Sequence, residues 1–433
     1  MEKTPKTKKE ETDEEVEEVE EVEEEEDQIG EDFAKDTRAF PLLVDAGKIA
    51  DSALHHVLSL IKPDANIYEL CVSGDNYIRT ELTKIYNKKK YSKGIAFPTS
   101  ISVNEIAGNY SPTLEDIDEN HKSLTKGDVV KVDLGVQIHG FTAVVAHTVV
   151  CGEEKVTGKK ADVILAAYYS VQAALRQFNV KKNTNDDITN TIQTVTDSYH
   201  VNAMEGVLSH KMRRDIIDGF ETIICKKTNE QKVDIREFEH GDVFGLDVIV
   251  SSGEGKPKES GLKTTIYKRA LETTYKLKQD SSRKILSVVE HNFFNFPFSM
   301  NAFDNEANIK TTKSIENLKT VAKMGLTECI NHELFYPHPV LTEKKGDIVA
   351  HFKWTVAVRN EGPLLISGGL LDTSKFESEF KVTDEKVNGL LLTNLDEFLP
   401  NSKKSVKVEK KKDNKLKKQK KKEAKEKKAQ EEK

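Results

Sequence analysis

The sequence is poor in cysteine, with four among 433 residues, and no two of them form a CxxC pair. They lie far apart, at Cys71, Cys151, Cys225 and Cys329. A disulfide framework or a zinc knuckle needs closely spaced cysteines, so this spacing argues against both. We therefore predict four buried free thiols.

The sequence also lacks a long apolar run. No window of 18 or more residues is both apolar and uncharged, and the N-terminal MEKTPKTKKEETDEE has no apolar stretch of the kind that a secretory signal requires. These absences predict a protein of the cytosol or nucleus that binds no membrane. Because 37% of the 433 residues are hydrophobic, the chain is long enough to bury a substantial core.

Charge is distributed unevenly along the chain. Residues 10–32 carry sixteen acidic and no basic side chains, whereas residues 402–433 carry sixteen lysines and six acidic side chains. The valines of EEVEEVEEVEEEED are too few to form a core, so we predict that residues 1–32 are a disordered acidic tail. Residues 401–433 are predicted to be a disordered lysine-rich tail. The acidic tail is expected to bind a basic partner, to fold back on the lysines or only to solubilise the protein, and the sequence leaves these three open.

Helical and strand patterns fill the middle of the chain. Apolar residues at helical spacing predict four helices, at 43–62, 73–88, 160–178 and about 186–199. Strand patterns follow each pair of helices, which predicts an internal duplication. Charged helical stretches at about 256–335 break this order and predict a helical insertion. We therefore predict one mixed α+β domain over residues 33–400.

The stretch VVKVDLGVQIHGFTAVVAHTVV, residues 129–150, predicts a β-hairpin with a turn near Ile138 and His139. In that register Asp133 faces Val144. Two carboxylates at such positions bridge a pair of divalent metals in two-metal hydrolases, but valine cannot complete the bridge. His139 is expected at the surface of the hairpin.

Five ordered blocks carry a family resemblance, namely KGIAFPTSISVNEIAGNYSP, VKVDLGVQIHGFTAVVAHT, EGVLSHKMRRDIIDGFETII, LDVIVSSGEGK and HFKWTV. They resemble the type II methionine aminopeptidases and, more closely, a non-peptidase branch, the proliferation-associated and ErbB-receptor-binding proteins. The resemblance covers about 33–400 and the lysine-rich tail. It implies the pita-bread fold, an antiparallel sheet embraced by helices about a pseudo-twofold axis, with the helical insertion of the type II branch.

The resemblance also implies a set of vestigial site positions. The peptidases hold two metals with two aspartates, a histidine and two glutamates, and these positions fall here on Asp133, Val144, His210, Asp247 and Lys353. Two active-site histidine positions fall on Asn109 and Asp218. Valine and lysine thus replace two carboxylate ligands, and the ammonium group of lysine cannot coordinate a metal.

From these replacements we predict no catalytic residue, no bound metal and no cofactor. Lys353 is predicted to supply the missing cation by pairing with Asp133 or Asp247. Weak metal binding at Asp133 is an open alternative. An active metallo-aminopeptidase, with metal retained by Asp133, His210 and Asp247, is another.

The lysine-rich tail predicts binding to RNA. It lacks stacking aromatic rings and arginine forks, so it should attract phosphates without reading base sequence, in DNA or in RNA. The lysines expected to contact RNA are Lys403, Lys404, Lys410, Lys411, Lys412, Lys417, Lys418, Lys420, Lys421 and Lys422. A nuclear localisation signal and a merely solvated tail are the other interpretations.

The resemblance implies binding to ribosomal RNA and the ribosome, and a location in the cytoplasm and nucleus, including the nucleolus. The predicted function is therefore that of a catalytically inactive aminopeptidase homologue that acts as an RNA-binding, ribosome-associated factor in ribosome biogenesis, translation and growth control. The alternatives are an active aminopeptidase that removes N-terminal methionine, and a scaffold that docks proteins through the insertion or the vestigial pocket.

Overall fold

The computed structural model describes residues 29–305, 309 and 315–400. Most of the predicted acidic tail and the whole lysine-rich tail, with its ten candidate RNA-binding lysines, lie outside the described residues. The helices of the described part are α1 (Ala39–Leu60), α2 (Ile67–Leu82), α3 (Gly158–Leu175), α4 (Asn185–Ser198), α5 (Asp280–Asn292), α6 (Leu318–Asn331) and α7 (Glu385–Leu391). None of them is both long and apolar enough to cross a membrane.

The strands of the described part are β1 (Lys93–Val103), β2 (Ile106–Gly108), β3 (Val129–Ile138), β4 (Phe141–Val150), β5 (Val156–Thr157), β6 (Asn202–Ala203), β7 (Leu208–Met212), β8 (Thr222–Ile224), β9 (Val243–Ser251), β10 (Lys258–Glu259), β11 (Ile266–Arg269), β12 (Phe298–Ser299), β13 (Phe335–His338), β14 (Leu341–Thr342), β15 (Val349–Arg359), β16 (Gly362–Ser367) and β17 (Phe376–Glu377). Nine of them form the central sheet, whose main path runs β1-β3-β4-β15-β9-β7-β8, with β16 beside β15 and β6 beside β9. Its strand pairs are antiparallel. The pair α1 and α2 precedes the first strands and the pair α3 and α4 precedes the second set, as the predicted duplication requires.

Helices cover the sheet because each presents an apolar stripe to it. In α1 the buried residues recur at three- and four-residue spacing, which is the signature of an amphipathic helix packed on a core. One apolar cluster joins α1 and α2 to β3 and β4, and a second joins α3 and α4 to β9 and β15. The four cysteines are buried and free, as predicted.

The β3–β4 hairpin has a different register from the predicted one. Ile138 pairs with Phe141, so Asp133 lies opposite Ala146. The two turn residues, His139 and Gly140, have φ values of 53° and 83°. Two positive φ values are typical of the type I′ turn that suits a two-residue hairpin, and histidine is among the residues that tolerate this region. The sequence-based pairing of Asp133 with Val144 is therefore wrong by two residues.

This error does not change which side of the sheet each residue faces, because side chains alternate with a period of two. Val144 lies opposite Gly135 and remains on the same face as Asp133. The expectation that His139 lies at the surface is also wrong. It is 9% exposed, its ring lies 4.6 Å from that of Tyr91, and its Nε2 is 2.7 Å from the guanidinium group of Arg214.

Residues 256–335 contain α5 and α6, as the helical insertion predicts, and also short strands that the sequence did not reveal. There β11 pairs with β12 and β13 in a small antiparallel sheet. Strands of two to four residues are too short to show an alternating pattern. This sheet and the two helices share an apolar cluster of their own.

Candidate functional site

Four residues of the predicted site region form one row across the middle of the sheet. Asp133 on β3 pairs with Ala146 on β4, Ala146 pairs with Lys353 on β15, and Lys353 pairs with Asp247 on β9. Neighbouring strands lie about 4.8 Å apart, so Lys353 reaches Asp133 across the β4 strand. Ala146 is short enough to leave room for that side chain.

The ammonium group of Lys353 contacts both carboxylates. Its Nζ lies 2.8 Å from Oδ2 of Asp133 and 2.9 Å from Oδ2 of Asp247. Burial favours the neutral amine, but the attraction of the two carboxylates outweighs it and raises the pKa of Lys353 above its usual range. Lys353 thus forms both of the ion pairs that the sequence offered as alternatives.

Asp247 is held in its charged form. Burial acts to raise its pKa, but Lys353 and His351 together lower the pKa of Asp247 to about 2. His351 Nε2 lies 2.7 Å from Asp247 Oδ1. His351 was not among the predicted site residues, although it lies two residues before Lys353 in HFKWTV and period-two alternation places it on the same face of β15.

A cavity of about 220 Å³ lies beside this row of charges. Six of the seven predicted site positions line it, namely Asn109, Val144, His210, Asp218, Asp247 and Lys353. Asp133, the seventh, is 6% exposed and is connected to the cavity through Lys353. The fold therefore brings the predicted positions together around one pocket.

Asn109 and Asp218, the two positions predicted to correspond to active-site histidines, make local contacts. Asn109 has φ 67°, and its side-chain amide donates a hydrogen bond of 3.0 Å to the carbonyl of Pro339. Asp218 is partly exposed at the edge of the cavity and forms an ion pair with Lys268. His210 is a pocket residue whose Nδ1 donates to the carbonyl oxygen of Gly219 at 2.9 Å.

The remaining walls are apolar or neutral. Both backbone groups of Val144 bond to Thr355 Oγ1 at 2.8 Å, which fixes the strand at this point. Burial lowers the pKa of His338 to about 4, so its imidazole is neutral near pH 7. Phe97 lies under the Lys353 ammonium, which is 5.5 Å from the ring centroid. His338 and Phe97 had no distinguishing sequence signal.

These residues do not fit a pair of divalent metal ions. Such a centre requires several oxygen ligands with free lone pairs, whereas here an ammonium group lies within 2.9 Å of both carboxylates. Among the residues that the structure describes, no three histidine, cysteine or acidic side chains are grouped so as to hold a metal ion.

The comparisons with known proteins agree with this architecture. The model of metallopeptidase family M24 matches residues 42–264. Proliferation-associated protein A of Dictyostelium discoideum is 38% identical over 82% of this chain and 89% of its own length. ErbB-3 binding protein 1 of Solanum tuberosum is 42% identical over 73% of this chain and 78% of its own length.

The fold is shared with a solved structure of a thermophilic Arx1. The two chains are 29% identical and superpose with a TM-score of 0.74, over 83% of this chain and 98% of the other. The pita-bread arrangement is therefore the fold of this protein. The chain belongs to metallopeptidase family M24 and, within that family, to the branch of the proliferation-associated and ErbB-receptor-binding proteins.

Proposed function

We propose that this protein is a catalytically inactive aminopeptidase homologue that binds RNA and associates with the ribosome. Its roles are in ribosome biogenesis, translation and growth control, and its locations are the cytoplasm, the nucleus and the nucleolus. The observation that carries the loss of catalysis is the Lys353 ammonium between Asp133 and Asp247. The lysine-rich sequence 402–433 carries the binding to RNA.

Electrostatics opposes metal binding at the pocket. At an effective dielectric constant of about 20, a unit charge about 4 Å from another is worth about 4 kcal/mol, so a dication near Lys353 is disfavoured by several kcal/mol. The substitution by Val144 removes a further oxygen ligand. A pocket that does not retain metal cannot activate water by the route that this peptidase family uses.

Metal content and peptide release test this part of the proposal. Purified full-length protein, dialysed against manganese or cobalt, should retain less than one equivalent of metal and should release no methionine from a methionyl peptide. Stoichiometric metal accompanied by turnover would establish the aminopeptidase alternative.

RNA binding follows from the density of positive charge in the tail. The sixteen lysines at 402–433 face six acidic residues in the same segment, so the segment carries a large positive excess. Each phosphate neutralised by a lysine releases counterions, which makes the affinity fall steeply with salt. Since the lysines lack stacking rings and arginine forks, binding should depend little on sequence. Family resemblance supports structured ribosomal RNA as the partner.

Co-sedimentation with ribosomes at graded salt tests the RNA proposal. We compare the full chain with a variant in which the ten lysines from Lys403 to Lys422 named above are replaced by glutamine. Neutralising about ten contacts should lower the affinity by several orders of magnitude at low salt and flatten the salt slope. The matched control replaces the same lysines by arginine, which keeps the charge and should keep binding. Equal binding and equal salt slopes for the wild type and the glutamine variant would refute the role of the tail.

A further inference from the structure

A second depression lies outside the cavity of about 220 Å³ beside Lys353 and Asp247, which we call the vestigial pocket. This outer groove has a volume of about 580 Å³ and is lined by residues of β7, β11 and the loops beside them. Asp218 lines both the groove and the vestigial pocket, so the groove lies next to the pocket. Large apolar side chains are exposed along it, namely Ile216, Phe220, Leu271 and Tyr336. An exposed apolar patch beside a depression is typical of a surface that another segment covers.

The outer groove also contains two arginines that share one carboxylate. Arg213 and Arg236 share a single carboxylate, Glu221, at 2.6 and 3.8 Å. Lys211 also reaches Glu221, at 3.0 Å, and is neutralised by buried Asp242, at 2.8 Å. Because the two arginine side chains are 49% and 59% exposed, their remaining N–H donors are accessible to a further carboxylate.

The other charged residues of the lining are paired or acidic. Lys268 pairs with Asp218, and Arg269 pairs with Glu290 at 3.1 Å. Asp215 and Glu272 add two acidic groups to the lining. A partner that carries both apolar and acidic side chains would therefore find its carboxylate sites at Arg213 and Arg236.

The acidic sequence of this chain joins the described fold beside these arginines. The guanidinium group of Arg214 donates a hydrogen bond to the carbonyl oxygen of Ile29. Arg213 lines the outer groove and also a small cavity that is lined by Glu31 and Asp32. The described chain therefore begins next to Arg213, which lines the groove.

We propose that residues 10–27 dock in the outer groove of their own chain. This segment, EETDEEVEEVEEVEEEED, presents Val16, Val19 and Val22 to the apolar side chains of the groove and carboxylates to its arginines. A single residue separates it from the first described residue, and 18 extended residues reach up to about 60 Å, which is ample to cross the groove.

Because the segment is joined to the fold next to the groove, weak contacts are sufficient to hold it there. Exposed ion pairs contribute little individually, but a short tether supplies an effective concentration of about 1 mM. At that concentration, a dissociation constant of about 0.1 mM for the untethered segment is enough to keep it docked about nine-tenths of the time. Docking covers the groove beside the vestigial pocket, so a protein partner that uses this face must displace the segment.

The test measures how fast a thiol placed in the groove is alkylated in the full chain. The four native cysteines are buried, so the thiol introduced by Leu271→Cys is the reactive one among the described residues. With a neutral maleimide, the thiol should react roughly tenfold more slowly than in a partner variant whose acidic residues 10–27 are replaced by glutamine and asparagine. The same reaction at Leu392→Cys, an exposed site on the C-terminal side of α7, should proceed equally fast in both.

A second variant separates docking from a general electrostatic effect. Removing positive charge by Arg213→Gln with Arg236→Gln would by itself disfavour the thiolate and slow the reaction. Release of the acidic segment should instead accelerate it severalfold. Lys48→Gln with Lys284→Gln, which removes equal charge from exposed positions on α1 and α5, should leave the rate unchanged.

Two results would overturn the proposal. One is an equal rate at Leu271→Cys with the charged and the neutralised segment. The other is acceleration by neutralising the lysines of 402–433 but not by the arginine substitutions, which would mean that the acidic segment pairs with the lysine-rich tail instead.

Discussion

Lys353 and Asp133 are joined by a 2.8 Å ion pair that crosses an intervening strand, passing over Ala146. Asp133 is 6% exposed, and a carboxylate so buried requires a partner of opposite charge. The same ammonium group serves Asp247, so one lysine compensates two acids that come from strands on either side of it. One ammonium group thus neutralises both buried carboxylates in the middle of the sheet.

Lys353→Met should destabilise the protein severely. Methionine fills a similar volume but leaves two buried carboxylates without their cation, and breaking a buried pair in this way typically costs about 3–5 kcal/mol. The free energy of unfolding, measured by denaturant titration at pH 7, should fall by about that amount.

The control for this change removes the charges of all three residues, Asp133, Asp247 and Lys353. A triple variant that adds Asp133→Asn and Asp247→Asn to Lys353→Met removes the charges together and should recover most of the lost stability. If Lys353→Met were as stable as the wild type, or if the triple variant were no more stable than the single one, the ion pairs would not be the source of the stability.

The pH dependence of the free energy of unfolding measures the contribution of the charged Asp247 independently. The pKa of Asp247 is lowered to about 2 from an ordinary value of 3.8, so its charged form stabilises the folded state. That contribution is present above about pH 4 and is lost as the pH falls towards 2. The stability difference between the wild type and Asp247→Asn should therefore shrink by about 2 kcal/mol over this interval. Since the pKa of Lys353 is raised, its own contribution is present below its ordinary 10.5 and is lost only as the pH rises through the raised value.

The Lys353→Met background is the control for the pH experiment. Without the ammonium group the main cause of the low pKa of Asp247 is gone, and burial then raises the pKa. The effect of Asp247→Asn in that background should no longer shrink between pH 4 and pH 2. The same pH profile in both backgrounds would assign the low pKa to another group.

The hairpin illustrates how much of the site the sequence could predict. Its alternating pattern placed Asp133 and Val144 on one face, and an error of two residues in the register left that result intact because the side-chain period is two. The register itself depended on the turn, where His139 and Gly140 both adopt positive φ. Histidine at such a position is uncommon, so the sequence did not mark the turn residues clearly.

The sequence predicted which residues belong to the site better than it predicted the contacts that they make across the sheet. The sequence placed Lys353 near Asp133 and Asp247 but could not show that β15 lies between β4 and β9, which is what lets one ammonium group reach both acids. His351 could have been found from its spacing to Lys353. His338 could not, because it reaches the pocket from the end of the short strand β13, 15 residues before Lys353 in sequence.

Restoring carboxylates should restore affinity for metal. A variant that combines Val144→Asp with Lys353→Glu adds two oxygen ligands to the pocket and removes the competing ammonium group, while Asp133, His210 and Asp247 are retained. Because it also removes the cation that neutralises the buried carboxylates, it is folded and studied in the presence of metal. Removal of a unit positive charge about 4 Å away is worth about 4 kcal/mol for each charge on the ion, which corresponds to at least roughly a thousandfold gain in affinity for manganese or cobalt before the new ligands are counted. Titration calorimetry of the variant and the wild type measures this gain. Val144→Asp alone is the matched control, because it adds an acid but leaves Lys353 in place and should bind metal far more weakly. If the double variant, shown to be folded by circular dichroism in the presence of metal, bound metal no better than the wild type, Lys353 would not be the cause of the weak metal binding.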